Sequence, residues 1–141
     1  MAVPHGNADD ARAEVKSYVD GKTVIDVMNA LGPNISCTTS TAEENTDEVA
    51  VDVCCESFQH VFAPNLSTAK IPDQQLTAFI ARDNDEAKRT VMKLTRDMGF
   101  DPVDCGPLKM ARSLEIMGNM LINLAFTYGM GNKIGYKLVK A

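Results

Sequence analysis

The sequence predicts an α/β fold, a mostly parallel sheet with flanking helices and a long C-terminal helix. Three observations carry this. The run Lys22-Thr23-Val24-Ile25-Asp26-Val27-Met28 is continuous and rich in β-branched residues, as is Gln75-Leu76-Thr77-Ala78-Phe79-Ile80-Ala81, which is how strands buried on both faces of a parallel sheet read. Helical periodicity separates such runs, so consecutive strands need crossovers. Finally, Leu108, Ala111, Leu114, Ile116, Met117, Met120, Leu121, Leu124, Ala125 and Tyr128 recur at steps of three and four, one broad face of a helix about five turns long.

Taken in order, Ala2-Val3-Pro4 reads as the end of a strand. His5-Gly6-Asn7 is a turn, with Asn7 placed to cap a helix whose first turn holds Asp9 and Asp10 and whose stripe is Ala8, Ala11, Val15 and Val19. Asp20-Gly21 stops it before strand 22–28. Ser40 or Thr41, followed by Glu43 and Glu44, suggests a short helix. Val49, Val51 and Val53 then alternate with Ala50, Asp52 and Cys54, predicting a half-buried strand over 48–55. Residues 58–63 read as a helical turn ended by Pro64, and 65–74 as loop. Beyond strand 75–81, Asp83-Asn84-Asp85 offers caps for a helix with Ala87, Val91, Leu94 and Met98 facing the sheet and Lys88, Arg89, Lys93 and Arg96 facing water. Gly99 ends it. A short strand at 102–105, the long helix and a second helix from about Asn132, with Lys133, Lys137 and Lys140 on a solvated face, complete the chain.

With 141 residues, of which 45% are hydrophobic, the chain has room for one domain with a real core. The net charge of −5 and the lack of a basic cluster exclude a nucleic-acid partner. The segment 116–130 is apolar but too short and too rich in amides to span a bilayer, so no membrane association is expected. Cys37, Cys54, Cys55 and Cys105 show no metal-ligand spacing, and no catalytic carboxylate pair, Ser-His-Asp order or HExxH appears; catalytic and metal residues are therefore expected to be absent. Nothing at Met1 reads as a signal peptide, so free thiols in a reducing cytoplasm follow.

Four phrases in order resemble one family. They are Ala2-Val3-Pro4; the run from Gly21 to Leu31; Phe58-Gln59-His60-Val61-Phe62-Ala63; and the run from Gly99 to Leu108, followed by Ala111-Arg112 and Leu114-Glu115. Together they span almost the whole chain. The sequence resembles the C-terminal part of the NADP-dependent oxidoreductases related to the deazaflavin-coenzyme (factor 420) NADP reductases, and more distantly the cytosolic domain of the six-transmembrane metalloreductases. The resemblance implies a partial Rossmann-like fold, with residues 1–107 as a truncated dinucleotide-binding part and 108–141 as a C-terminal helical dimerisation part of the same domain. It implies NADP as cofactor. The G-x-G-x-x-G turn that captures the pyrophosphate is not in this sequence, so weak or absent binding is expected of the chain alone; Gly129-Met130-Gly131 follows a helix and fails the strand–turn–helix context. Family members commonly carry a lysine where this chain has Glu56, and an Asn-Thr pair where it has Gln59-His60.

Ligands of open α/β sheets lie at the carboxyl ends of strands, so the candidate cofactor-binding residues are Val3, Pro4, His5, Asn29, Ala30, Phe58, Gln59 and His60, as contacts to ribose and nicotinamide. Read without the resemblance they are loop residues. Neither His5 nor His60 has a partner at a recognisable spacing, which suits surface histidines. Two functions follow. The chain is the C-terminal part of an NADP-dependent oxidoreductase, inactive without an N-terminal half, or a non-catalytic degenerate relative acting as a dimerising or partner-binding module. A homodimer built on helix 108–128, with 132–141 wrapping the partner, is expected in either case, because Ile116, Met117, Met120, Leu121, Leu124, Phe126 and Tyr128 cover too much of the helix to face one sheet.

Overall fold

A computed structural model describes the chain except for Met1, Pro4, residues 29–37, 50–52 and 55–57, and Gln59; for His5, Asn45, 47–49, 53 and 54 it describes the backbone alone. The expected strand end at Ala2-Val3-Pro4 is not a strand at Ala2 or Val3. Helix α1, Ala8–Val15, is flanked by single 3-10 turns and carries Asp9 and Asp10 in its first turn. Asn7 precedes it but makes no side-chain cap bond. Its covered positions are Ala8 and Arg12, the latter paired with Asp9, while Ala11, Val15 and Val19 are only half-buried.

Strand β1, Val24–Ile25, pairs in parallel with β2, Val53–Cys54. Helix α2, Thr41–Val49, lies between them in sequence and takes Glu48 and Val49 from the strand expected at 48–55. The reason is its start. The Ser40 amide donates to Glu43 Oε2 at 2.9 Å and the Glu43 amide donates to Ser40 Oγ at 3.2 Å, a reciprocal capping box ahead of a helix-compatible run. Pro64 opens a helix rather than closing one: α3, Ala63–Leu66, holds it in the first turn, where a missing N–H costs nothing. The expected loop after it contains a short antiparallel hairpin, β3 (Lys70–Ile71) with β4 (Gln74–Gln75).

Strand β5, Thr77–Ile80, pairs in parallel with β6, Asp101–Asp104. Helix α4, Asp85–Asp97, connects them; Asn84 caps it by accepting from the Glu86 and Ala87 amides, both at 3.1 Å. Its buried positions are Ala87, Lys88, Val91 and Thr95, whereas Leu94 and Met98 are 45% and 40% exposed. The stripe is thus turned from the one the apolar residues suggest. Lys88 is drawn inward because its ammonium lies 3.0 Å from Asp104 and donates to the Gly106 carbonyl. Gly99 has φ +96, a conformation that closes the helix into β6.

A turn at Leu108–Met110 leads into α5, Ala111–Ile122, whose last turn, Asn123–Thr127, is π-helical. Leu108, Ala111 and Leu114 pack in one core cluster with Ala42, Ile80, Ala81 and Val91. A second cluster joins Val61, Ala69, Leu76, Ala78 and Phe100. The expected C-terminal helix is not formed. Residues 132–141 run without helix along the edge of β5 facing away from β6, where Thr77 donates its amide to the Tyr136 carbonyl and Leu138 donates to Thr77 Oγ1, each at 2.9 Å. A strand edge left with an unpaired amide is the stronger demand, and this tail meets it. Lys133, Lys137 and Lys140 therefore belong to an extended strap. No helix among the described residues is long and apolar enough to cross a membrane.

Candidate functional site at the carboxyl edge of the strands

The parallel pair β5–β6 ends at Ile80 and Asp104, and the segments leaving these ends converge on the start of the long helix. A cavity of about 340 Å³ opens there, lined by Glu43, Thr46, Asp83, Pro107, Leu108 and Lys109. Its place matches the rule that ligands of open α/β sheets bind beyond the strand carboxyl ends. Reading the sequence did not single out these residues. The signal was available: Asp83 follows strand 75–81 and Gly106-Pro107 follows the next one.

Among the described residues, the carboxylates at this edge are tied down. Asp83 Oδ1 accepts from the Leu108 amide at 3.1 Å and so caps the helix that starts there. Glu43 receives two bonds from the Arg112 guanidinium, at 2.8 and 2.7 Å. This fork holds the Glu43 carboxyl below its usual range against the burial that would raise it. Asp104, next to the cavity wall, is raised by burial but lowered on balance by the Gly106 amide and the Lys88 ammonium. Burial pushes the neighbouring Cys105 thiol up, so it is a neutral thiol rather than a nucleophile. Among the described residues no group of His, Cys, Asp and Glu could hold a metal.

The amino end of a helix is the usual seat of a cofactor pyrophosphate, and the chain fills its own. On α2 the Ser40–Glu43 box is joined by Glu115, whose Oε1 accepts from the Thr41 amide at 2.6 Å. On α4 the seat belongs to Asn84, and at Leu108 to Asp83. The amino end of α1 has no side-chain cap, but Asp9 and Asp10 stand in its first turn and repel an anion. The described residues therefore do not fit a pyrophosphate.

Of the residues expected to touch ribose and nicotinamide, Pro4, Asn29, Ala30 and Gln59 lie outside the described residues, as does Glu56. Val3 is half-buried, and His5 belongs to the 3-10 turn before α1. Phe58 packs on Phe100, with ring centroids 5.4 Å apart. His60 is fully buried, unlike the surface histidine that its lack of a partner at a recognisable spacing suggested. Its Nε2 sits on the β5 edge, 3.2 Å from the Thr77 carbonyl and 3.3 Å from the Phe79 amide, with the Phe79 and Tyr136 rings against the imidazole. One nitrogen cannot serve both groups: as N–H it donates to Thr77, and bare it accepts from Phe79. Burial outweighs the Thr77 carbonyl and lowers its pKa to about 4, so the ring is neutral near pH 7. So placed, the imidazole offers no surface to a ligand.

No family model matches the sequence. Among solved structures, one described as an F420-dependent NADP reductase from Arthrobacter sp. FB24 matches 96% of this chain and 66% of its own at a TM-score of 0.80, with 20% identity. A functionally unassigned protein from Sinorhizobium meliloti, SMa0349, matches 77% of this chain and 55% of its own at a TM-score of 0.62, with 28% identity. The chain thus spans about two thirds of the first of these proteins and about half of the second. Over nearly all its length this protein has the α/β fold of that F420-dependent NADP reductase.

Proposed function

We propose that this chain is the C-terminal part of an NADP-dependent oxidoreductase, a piece that shapes the nicotinamide side of the cleft and leaves pyrophosphate capture to a G-x-G-x-x-G half that its own sequence does not contain. The observation that carries the reading is the fold match over 96% of the chain to a protein described as an NADP reductase. The chain's own carboxylates and amides fill the amino ends of α2 and α4 and of the helix that starts at Leu108, which leaves the cofactor's phosphates without a seat among the described residues. Val3, Pro4, His5, Asn29, Ala30 and Gln59 are the residues left to meet ribose and nicotinamide. Hydride transfer is the cofactor's chemistry when bound. The test is calorimetric titration of the chain with NADPH, alone and fused behind the G-x-G-x-x-G half of the Arthrobacter reductase. The chain alone should give no binding up to about millimolar cofactor, and the fusion should bind in the micromolar range. Micromolar binding by the chain alone, or none by a folded fusion, defeats the proposal.

A second reading, a non-catalytic module that dimerises in a cytoplasmic setting, is favoured by one observation. Ile116, Met120 and Phe126 are 43%, 50% and 68% exposed on a single helix, and Tyr128, just past its end, is 73% exposed. Leaving such side chains in water forgoes roughly 1.5–3 kcal/mol each if fully buried. Sedimentation velocity of the purified chain tests it; a monomer at several hundred micromolar would dismiss it.

A further inference from the structure

We propose that His60 is an acid-sensitive latch for the strap of residues 132–141: when its ring takes a second proton, Tyr136 lifts and the strap leaves the edge of β5, while the β5–β6 pair stays formed. The geometry that carries this is a wedge. The imidazole lies between Phe79 of β5 and Tyr136 of the strap, with ring centroids 5.1 and 6.1 Å away, and is fully buried. Its Nε2 stands between the Thr77 carbonyl and the Phe79 amide, and its Nδ1 is buried with no hydrogen-bond partner among the described residues. A neutral ring can keep Nε2 bare for the Phe79 amide. The imidazolium has no bare nitrogen, so the Phe79 amide loses its acceptor and faces an N–H, and a charge sits in the core with the Thr77 carbonyl alone to offset it.

The groups that face the ring are the Thr77 carbonyl, Phe79 amide and Phe79 ring of β5 and the Tyr136 ring of the strap, while its own turn brings the apolar Phe58, Val61 and Phe62. Only Tyr136 among these titrates, and burial raises its pKa, so it is neutral in acid. Lys137 beside it donates instead to Gln74 of the β3–β4 hairpin, and Lys133 and Lys140 are exposed. Burial and the Thr77 carbonyl set the titration of the ring, with no carboxylate among the described residues to hold the charged form. The cover that yields is the weakest one. β5 is laddered to β6 from Thr77 to Ile80, and Val61 packs in the second core cluster, whereas the strap has neither helix nor ladder and is 80% exposed at Val139. A segment held by a few separate bonds opens at the lowest cost. Opening hydrates the ring and returns its pKa from about 4 to the ordinary 6.5, so the open state gains on the closed one as the pH falls through this window and gains nothing above it. Between pH 7 and pH 5 that gain is roughly 20-fold, and it uncovers the Thr77 amide, a strand edge able to pair.

Amide exchange of the full chain, followed by NMR at pH 7 and pH 5 and expressed as protection factors to remove the intrinsic effect of pH, tests the latch. Protection of Thr77 and Leu138, the amides tied up between strap and β5, should fall roughly 20-fold at pH 5. That of Asp101 and Cys105, which donate to Leu76 and Ile80 across the β5–β6 pair, should not change, and in His60→Phe the loss at Thr77 and Leu138 should vanish. Equal protection at both pH values overturns the inference. So does a loss shared by Asp101 and Cys105, a loss at the Val61 amide in place of Thr77 and Leu138, or a loss that persists in folded His60→Phe. A second arm does not depend on that variant: NMR titration of the His60 ring should show proton affinity at least ten-fold higher in Tyr136→Ala, where the cover is gone, than in the parent. Unchanged affinity in folded Tyr136→Ala overturns the inference as well.

Discussion

Glu115 of α5 reaches across to the first residue of α2 and accepts the Thr41 amide at 2.6 Å, from a side chain 2% exposed. One helix thus caps another over 74 residues of separation. The surface counterpart is the Arg112–Glu43 fork one turn away on the same helix. Together they fix the amino end of α2 to the wall of the cavity and make that end unavailable to an anion. Replacing Glu115 by Ala leaves a buried amide without its acceptor and should cost about 1–3 kcal/mol in urea denaturation. Glu115→Gln keeps an oxygen for the Thr41 amide and should cost clearly less. Equal losses in the two variants would show that the charge, not the cap, is what α2 needs.

His60 should make stability depend on pH in a window of its own. Its pKa is about 4 folded, against 6.5 for the ordinary group, so between these values the unfolded chain binds the extra proton. Stability is then full above pH 6.5 and falls as the pH drops towards 4, by about 3 kcal/mol in total. Glu43 and Asp104 have lowered pKa values and act at more acid pH: their contributions are present above the usual carboxylate range and are lost as the pH falls below it. Urea midpoints measured from pH 7 to pH 3 should show two steps. The upper one should flatten in His60→Phe while the lower one stays. A variant retaining the upper step would assign it to another group.

Helix α4 marks how far the sequence could be read. Its existence and its Asn84 cap follow from local chemistry, and so do the Gly99 stop, the two parallel strands it joins and the long helix after them. Its buried face does not. Apolar periodicity points to Leu94 and Met98, yet Thr95 is fully buried and Lys88 7% exposed, because the Asp104 carboxylate at the end of β6 and the Gly106 carbonyl just beyond it turn the helix towards them. The same limit applied at His60, whose burial is set by the β5 edge, and at the cavity, whose lining comes from α2 and two loops far apart in sequence. Val91→Ala should cost roughly 2 kcal/mol, as a core truncation. Leu94→Gln should stay within about 0.5 kcal/mol, as an exposed change. The reverse order in thermal or urea unfolding would restore the stripe that periodicity suggests.

The strap formed by residues 132–141 gives the last prediction. Asn65 donates to the Asn132 carbonyl at 2.9 Å and to the Ile134 carbonyl at 3.3 Å, Tyr136 donates its hydroxyl to the Met117 carbonyl at 2.9 Å, Lys137 donates to Gln74, and Thr77 donates its amide to the Tyr136 carbonyl while its hydroxyl accepts from the Leu138 amide. Gly135 sits where the strap passes over the hairpin, and a Cβ there would lie 2.7 Å from Leu76 Cδ2. Leu76 is 3% exposed and packed in the second core cluster, so it cannot swing clear without disturbing Phe100 and Val61. Gly135→Val should therefore lift the strap, costing about 1–3 kcal/mol as overpacking. Amide exchange should rise at Leu138 and at Thr77, the two groups that the strap protects, while the β5–β6 ladder stays protected. Unchanged exchange at Thr77 in that variant would mean that something other than the strap covers this edge of β5.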